Sequence, residues 1–297
     1  MSFKVGLALG GGAARGLAHL GVIKALQQAK IPIDIICGTS VGAVIGSIYA
    51  ANPDIDWAIA KVKTYLSSSD FDKTRLDLIK KGSLEPDSYF GQLKRYIKTG
   101  LIFAISLHRS SFISEEVFRA NLEQILPKGN IEDCPIKLGL VSMNLDTAEE
   151  EVSLSGNIIQ NVMASSAIPG VFPPVNLKKS KFVDGSWVNP VPVSVAKAMG
   201  AKFIIAVDVA PGMDKNEKDL NGFDVTLKAA EGSRMALKKY WFQNSDIALG
   251  VDLMDMHWAD FSQIEMCIER GEKIINGSLS EIKKKLFLKR MRSKLFL

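Results

Sequence analysis

Ser40 lies in CGTSVGA, the centre of Gly38-x-Ser40-x-Gly42, between an apolar run and a segment of helical spacing. A strand that turns this sharply into a helix strains its central residue, and flanking glycines keep the neighbouring backbone clear of it. The hydroxyl then projects at a helix N-terminus, where the positive end of the dipole favours developing negative charge. That is a setting for a nucleophile attacking a carbonyl. It also suits a serine that merely caps the helix. A second motif, GGGAARGLAHLGV over residues 10–22, follows the apolar VGLAL. If Ser40 attacks an ester, the resulting oxyanion needs backbone donors. Gly11, Gly12 and Ala13 have side chains small enough to bring their N–H groups close, and each such donor is worth about 3 kcal/mol of barrier. Arg15 would set a positive charge beside that pocket, suited to a substrate phosphate. A dinucleotide-binding turn competes for the same loop. Against it, Arg15 occupies the last glycine position of the strict pattern, and Asp34, the acidic candidate for a ribose, falls at the start of the second strand.

A serine hydroxyl needs a base. The histidines are His19, His108 and His257. His19 falls inside the first helix, where packing suits it better than catalysis, and His108 falls in a presumed cap. His257 would complete the chain order Ser, Asp, His, yet MDMHWAD offers no strand end or glycine turn to hold a catalytic imidazole. Asp184 in KFVDGSW follows an apolar triplet and precedes Gly185, so it marks a strand end, where sites in open α/β sheets collect. An Asp-Gly hairpin turn would look the same.

The elements that must position these residues alternate between strand-like and helical patterns, the signature of a mostly parallel sheet covered by helices. FKVGLAL reads as the first strand and Gly16 to Lys30 as the helix after it. IDIIC reads as the second strand, and Val41, Val44, Ile45 and Ile48 follow with the spacing of a helix face. DIDWAIAKVKTYL repeats that spacing, with Asp54 as its cap. The stretch 54–127 reads as a helical cap or insertion. IKLGLVSMNL, EEEVSL, FVD and KFIIAVDV return to strand character, 211–222 reads as a loop, and HWADFSQIEMCIERGEKII reads as a long helix.

Composition narrows the function classes. Of the 297 residues, 47% are hydrophobic and 23% charged, enough apolar material for a substantial core. Three cysteines at wide spacing give neither a disulfide framework nor a zinc site. The formal charge of +5 is concentrated in residues 281–297, where seven Lys/Arg face one Glu, so a nucleic-acid-binding core is not indicated. The division expected is a domain over 1–280 followed by a basic amphipathic tail over 281–297. With Ile282, Leu286, Met291 and Leu295 near one face, that tail suits an anionic membrane surface; a solvated terminus fits it as well. LIFAISL (101–107) reads as a segment touching acyl chains or as a buried element. With no room read for a signal peptide and no run of about 20 apolar residues, the expectation is a cytoplasmic protein, peripheral at most to the inner membrane surface.

GLALGGGAARGLAHLGV, GTSVGA, ASSAIPGVFPPV and FVDGS, in this order, together resemble the bacterial branch of the patatin-like phospholipase family over residues 1–209. The resemblance implies a three-layer α/β/α sandwich and a Ser-Asp dyad: Ser40 as nucleophile, Asp184 as base, Gly11, Gly12 and Ala13 as oxyanion hole, and Arg15 at the family's basic position. It implies a lipid acyl hydrolase that acts on carboxylic esters through an acyl-enzyme, with no metal or organic cofactor. A non-catalytic adaptor on the same scaffold is the alternative. Two departures stand out. Ala13 replaces a glycine, which a backbone donor tolerates unless φ is positive there. Ser186 replaces a small residue after Asp184-Gly185 and stands within reach of the base.

Overall fold

The computed structural model describes residues 3–72, 111, 113–210, 222–253 and 255–295. Successive residues of the first strands go to opposite faces. In β1 (Val5–Leu9), Val5, Leu7 and Leu9 enter one apolar core and Ala8 another; in β2 (Ile35–Thr39), Ile36 joins the first core, Ile35 and Cys37 the second. Both faces are covered, which is why these strands read as unbroken apolar runs. The first face carries α1 (Ala18–Gln28), α2 (Val41–Ala51) and α3 (Ile55–Leu66), whose N-cap Asp54 accepts from the Trp57 N–H at 3.0 Å. The single turn α4 (Ser69–Asp72), α5 (Glu115–Ile125) and α6 (Ile158–Ser166) follow in the chain. The second face carries α7 (Val193–Ala198), with α8 (Gly222–Phe242) against it. A three-layer α/β/α sandwich results.

Five strands run parallel in the order β8, β7, β1, β2, β3, where β3 is Lys137–Asn144, β7 is Phe203–Asp208 and β8 is Ile247–Gly250. Three short strands are antiparallel to their neighbours: β4 (Glu150–Ser153) and β6 (Ser180–Asp184) on β3, and β5 (Val175–Leu177) on β6. The pairing of β3 decides where chemistry can occur. β4 covers Leu140–Met143, overlapping both the stretch paired with β2 (Lys137–Val141) and that paired with β6 (Ser142–Asn144). Hence β4 takes one edge of β3, and β2 and β6 meet end to end on the other. Thr39 faces Val141 and Asp184 faces Ser142, so Ser40 and Asp184 meet where the two strands abut.

Several expected boundaries shift. The helix expected from Gly16 opens with a 3-10 turn over Ala13–Leu17. The helix expected from His257 starts at Ile264, as α9 (Ile264–Leu295), because residues 257–260 form turns and Asp260 caps a 3-10 turn over Phe261–Gln263. LIFAISL, His108 and most of the 211–222 loop lie outside the described residues. The tail expected over 281–297 is not separate: through residue 295 it is the end of α9. Ile282 and Leu286 are buried on the body, Lys285 and Lys289 bond Asp246, and Arg290 lies over the Phe3 ring. Met291 does not share their face; it is exposed with Phe287 and Leu288. Earlier in α9 the approach to α1 is close enough that a Cβ on Gly271 would sit 2.1 Å from the Ala18 carbonyl oxygen. No helix among the described residues is long and apolar enough to cross a membrane.

Candidate active site

Ser40 follows the last residue of β2 and precedes α2 with φ 56° and ψ −125°. A left-handed φ at a non-glycine residue costs on the order of 1–3 kcal/mol and persists only where surroundings enforce it. Here they do. A Cβ on Gly42 would lie 2.2 Å from the Leu9 carbonyl oxygen, and one on Gly38 would lie 2.4 Å from that of Gly42. The elbow glycines thus permit backbone to touch backbone. The Ser40 N–H donates to the Ser165 hydroxyl oxygen at 3.0 Å, and that hydroxyl donates to the Val141 carbonyl at 2.5 Å. Thr39 donates through its hydroxyl to the Asn189 carbonyl at 2.9 Å. The Ser40 side chain makes no capping bond to α2.

The Ser40 side chain acts instead on the Asp184 carboxylate, whose pKa it pulls down. Asp184 is buried, and its main-chain N–H donates to the Ala167 carbonyl at 3.0 Å. Burial raises its pKa above the ordinary carboxylate range; the bond from the Ser186 N–H (2.8 Å), the Ser40 and Ser186 side chains and the charge of Arg234 pull it back. Behind Asp184, α8 brings Arg234, paired with Glu231, and Lys238, paired with Asp208 at 2.8 Å. Lys238 also donates to the Ala210 carbonyl at 2.6 Å, fixing the turn after β7 against which Gly12 lies.

The glycine loop divides its amides. Gly10 donates to the Val207 carbonyl at 2.9 Å, and Gly11 to that of Pro190 at 3.1 Å. The expectation that Gly11 is an oxyanion donor meets a correction here, since its N–H is engaged; its missing side chain makes room for Ser186 and Ser40 instead. The N–H groups of Gly12 and Ala13 have no acceptor among the described residues. Ala13 has φ 48°, so a strained alanine stands where glycine would adopt this conformation freely. His19 is buried beneath the loop and donates through Nε2–H to the Gly10 carbonyl at 2.8 Å; burial lowers its pKa to about 4, so it stays neutral. Arg15 is also corrected. Its Nε and Nη2 both donate to the Met256 carbonyl, at 3.0 and 2.7 Å, strapping the loop before α9 to the glycine turn, and it is not on the wall of the cavity that Ser40 opens into. His257 accepts through Nδ1 from the Ala259 N–H at 3.2 Å, within its own turn.

That cavity has a volume of about 130 Å³ and an almost wholly apolar wall. Leu17, Val44, Val171 and Trp258 line it with Phe118 and Phe172, whose rings stack at 4.0 Å. Ser40 and Ala13 lie on its wall, and Asp184 is not among its lining residues. The sequence reading passed over Ser165, Asn189, Arg234 and Lys238. Of these only Ser165 left a trace, inside the motif ASSAIPGVFPPV.

The family model for patatin-like phospholipases matches residues 7–197, which include every residue placed above except Val207, Asp208, Ala210, the α8 side chains and the loop before α9. The chain belongs to the patatin-like phospholipase family. Lysophospholipase NTE1 of Lodderomyces elongisporus is 31% identical over 75% of this chain, and lysophospholipase nte1 of Aspergillus fumigatus 30% over 73%. The patatin-like phospholipase domain-containing protein M110.7 of Caenorhabditis elegans is 29% identical over 80%. The matched segment makes up 14%, 12% and 19% of these relatives respectively, so the chain spans under a fifth of each. Among solved structures, VipD from Legionella pneumophila matches over 62% of this chain and 45% of its own, with 22% identity and a TM-score of 0.36. These curated relatives are fungal and nematode, so they carry the patatin-like family and not its bacterial branch.

Proposed function

We propose that this chain is a serine acyl hydrolase acting on carboxylic esters of lipids, with Ser40 as nucleophile and Asp184 as base. One observation carries the reading: a strained serine on the wall of an apolar pocket, set beside a buried carboxylate where β2 and β6 abut on β3. Asp184 takes the hydroxyl proton as Ser40 Oγ attacks the ester carbonyl carbon. The oxyanion is received by the N–H groups of Gly12 and Ala13, the two amides of the loop left open. As the C–O bond to the leaving group breaks, Asp184 returns the proton to the departing alcohol or lysolipid, leaving Ser40 acylated. Water, deprotonated by Asp184, then attacks the acyl carbon; the bond from that carbon to Ser40 Oγ breaks, Asp184 returns the proton to Oγ, and the fatty acid leaves. The apolar wall suits the acyl chain. The names of the NTE1 relatives, lysophospholipases, agree with a lipid substrate.

The test is a fluorophosphonate probe together with a p-nitrophenyl ester assay. Labelling and turnover in the wild type, both absent in a folded Ser40→Ala, support the enzyme; a folded wild type without either is the adaptor reading.

A peripheral site of action belongs to the same proposal. Phe287, Leu288 and Met291 are exposed at the basic end of α9, an arrangement that suits the surface of an anionic bilayer. Flotation with phosphatidylglycerol vesicles, comparing wild type with Phe287→Ser/Met291→Ser, tests it; equal flotation rejects it.

A further inference from the structure

Residues 165–167, where α6 ends, touch both reacting groups. The Ser165 hydroxyl receives the Ser40 N–H, and the Ala167 carbonyl receives the Asp184 N–H at 3.0 Å. Ser166 therefore stands between the anchor of the serine and the anchor of the aspartate. Its main-chain carbonyl accepts from the Ile168 N–H at 2.9 Å, while its hydroxyl, in a residue only 8% exposed, has no partner among the described residues. The same residue lines the apolar cavity beside Ser40. A buried hydroxyl left without a partner is destabilising, and native proteins rarely keep one without a use. Ser165, one residue earlier, has both its donor and acceptor roles filled, so the vacancy is specific to Ser166.

We infer that Ser166 is a substrate-binding residue whose hydroxyl donates a hydrogen bond to an ester oxygen of the bound acyl ester. The inference rests on Ser40 as the reacting centre, because that is what places the ester group at this end of the cavity. An all-hydrocarbon ligand would leave the hydroxyl as it is; an ester fills the vacancy. Ser166 thereby helps the pocket distinguish an acyl ester from a bare acyl chain, adding a side-chain donor to the open main-chain N–H groups of Gly12 and Ala13.

The experiment uses the full chain and two readouts. In a Ser40→Ala background, where the ester stays intact, binding of monomeric dihexanoylphosphatidylcholine is measured by calorimetry with and without Ser166→Ala. With Ser40 present, kcat/KM for p-nitrophenyl butyrate is compared between wild type and Ser166→Ala, and thermal unfolding is recorded for both. The expected result is a Kd raised about three- to tenfold, the worth of one neutral hydrogen bond, and a comparable fall in kcat/KM. The melting temperature should hold or rise, since the substitution deletes a hydroxyl with no partner. An unchanged Kd overturns the inference, as does a fall in melting temperature large enough to account for weaker binding. Calorimetry does not depend on turnover. A wild type that fails to hydrolyse esters therefore condemns the Ser40–Asp184 mechanism, while a weakened Kd on loss of the Ser166 hydroxyl still supports the contact.

Discussion

The two sides of the Ser40–Asp184 contact are built from opposite materials. On the Ser40 side, the wall is Leu17, Val44, Phe118 and their neighbours, from the helices over the first core and from the turns at Val171 and Trp258. On the Asp184 side, Ser186 and the charge of Arg234 act on the carboxylate, and α8 adds the Lys238–Asp208 pair. In the proposed mechanism the apolar side decides what can enter, and the polar side decides whether the carboxylate can accept a proton at a given pH. Burial raises the Asp184 pKa, and its partners pull it back.

The sharpest way to break this division is Asp184→Asn. Amide and carboxylate have the same shape, so the variant should fold, and loss of the base should lower kcat for p-nitrophenyl butyrate by roughly 10⁴-fold, the scale of removing one member of a catalytic unit. Because the native state raises the pKa of Asp184, holding it ionised at neutral pH costs stability. Thermal unfolding of Asp184→Asn at pH 7 should therefore show an equal or higher midpoint than wild type. A lower midpoint would mean that the carboxylate is chiefly structural.

Below both sides, His19 holds the Gly10 carbonyl as a neutral ring with a pKa of about 4. Its folded pKa lies below the unfolded value near 6.5, so its contribution is complete above pH 6.5 and is lost as the pH falls towards 4. The loss amounts to on the order of 3 kcal/mol. Urea titrations at pH 7 and pH 4 should show that extra decline in wild type and its absence in His19→Gln, which keeps an N–H donor.

On the apolar side, Val44→Trp should narrow the cavity and cut kcat/KM for a p-nitrophenyl decanoate about tenfold while sparing the acetate, in keeping with the 1–3 kcal/mol that overpacking costs. Equal losses on both esters would show that the cavity does not take the acyl chain. The smallest effect belongs to Arg234→Met. Removing a positive charge that lowers the Asp184 pKa should move the acidic limb of the kcat/KM profile to higher pH, by up to about one unit. No movement would detach α8 from the proton chemistry.

How much of this was legible in the sequence follows from the range of the interactions. The elbow was readable because strand, turn and helix are contiguous: IDIIC, GTS and the spacing of Val41 to Ile48 lie within sixteen residues. The sandwich was readable because strands buried on both faces leave unbroken apolar runs. Arg15 was misread because its position in the glycine loop suggested a ligand, whereas its partner is a carbonyl 241 residues away. Gly11 was misread for the same reason, since the carbonyl of Pro190 that takes its N–H leaves no mark near the loop. The end of α9 showed one apolar face to the eye, yet Asp246 and Phe3 draw Lys289 and Arg290 inward and turn Met291 out. Arg234 and Lys238 were invisible because nothing in a helix's own pattern says which sheet end it will meet.

The end-to-end arrangement of β2 and β6 along one edge makes β3 a ruler for the two reacting groups. Whatever is inserted between Ser40 and Asp184, their separation is written in the step from Val141 to Ser142. The chain between Ser40 and β3 can therefore change length without altering that step. A single-residue deletion within β3 cannot be absorbed in this way: it would turn every later side chain of that strand to the opposite face and carry the aspartate out of register with the serine.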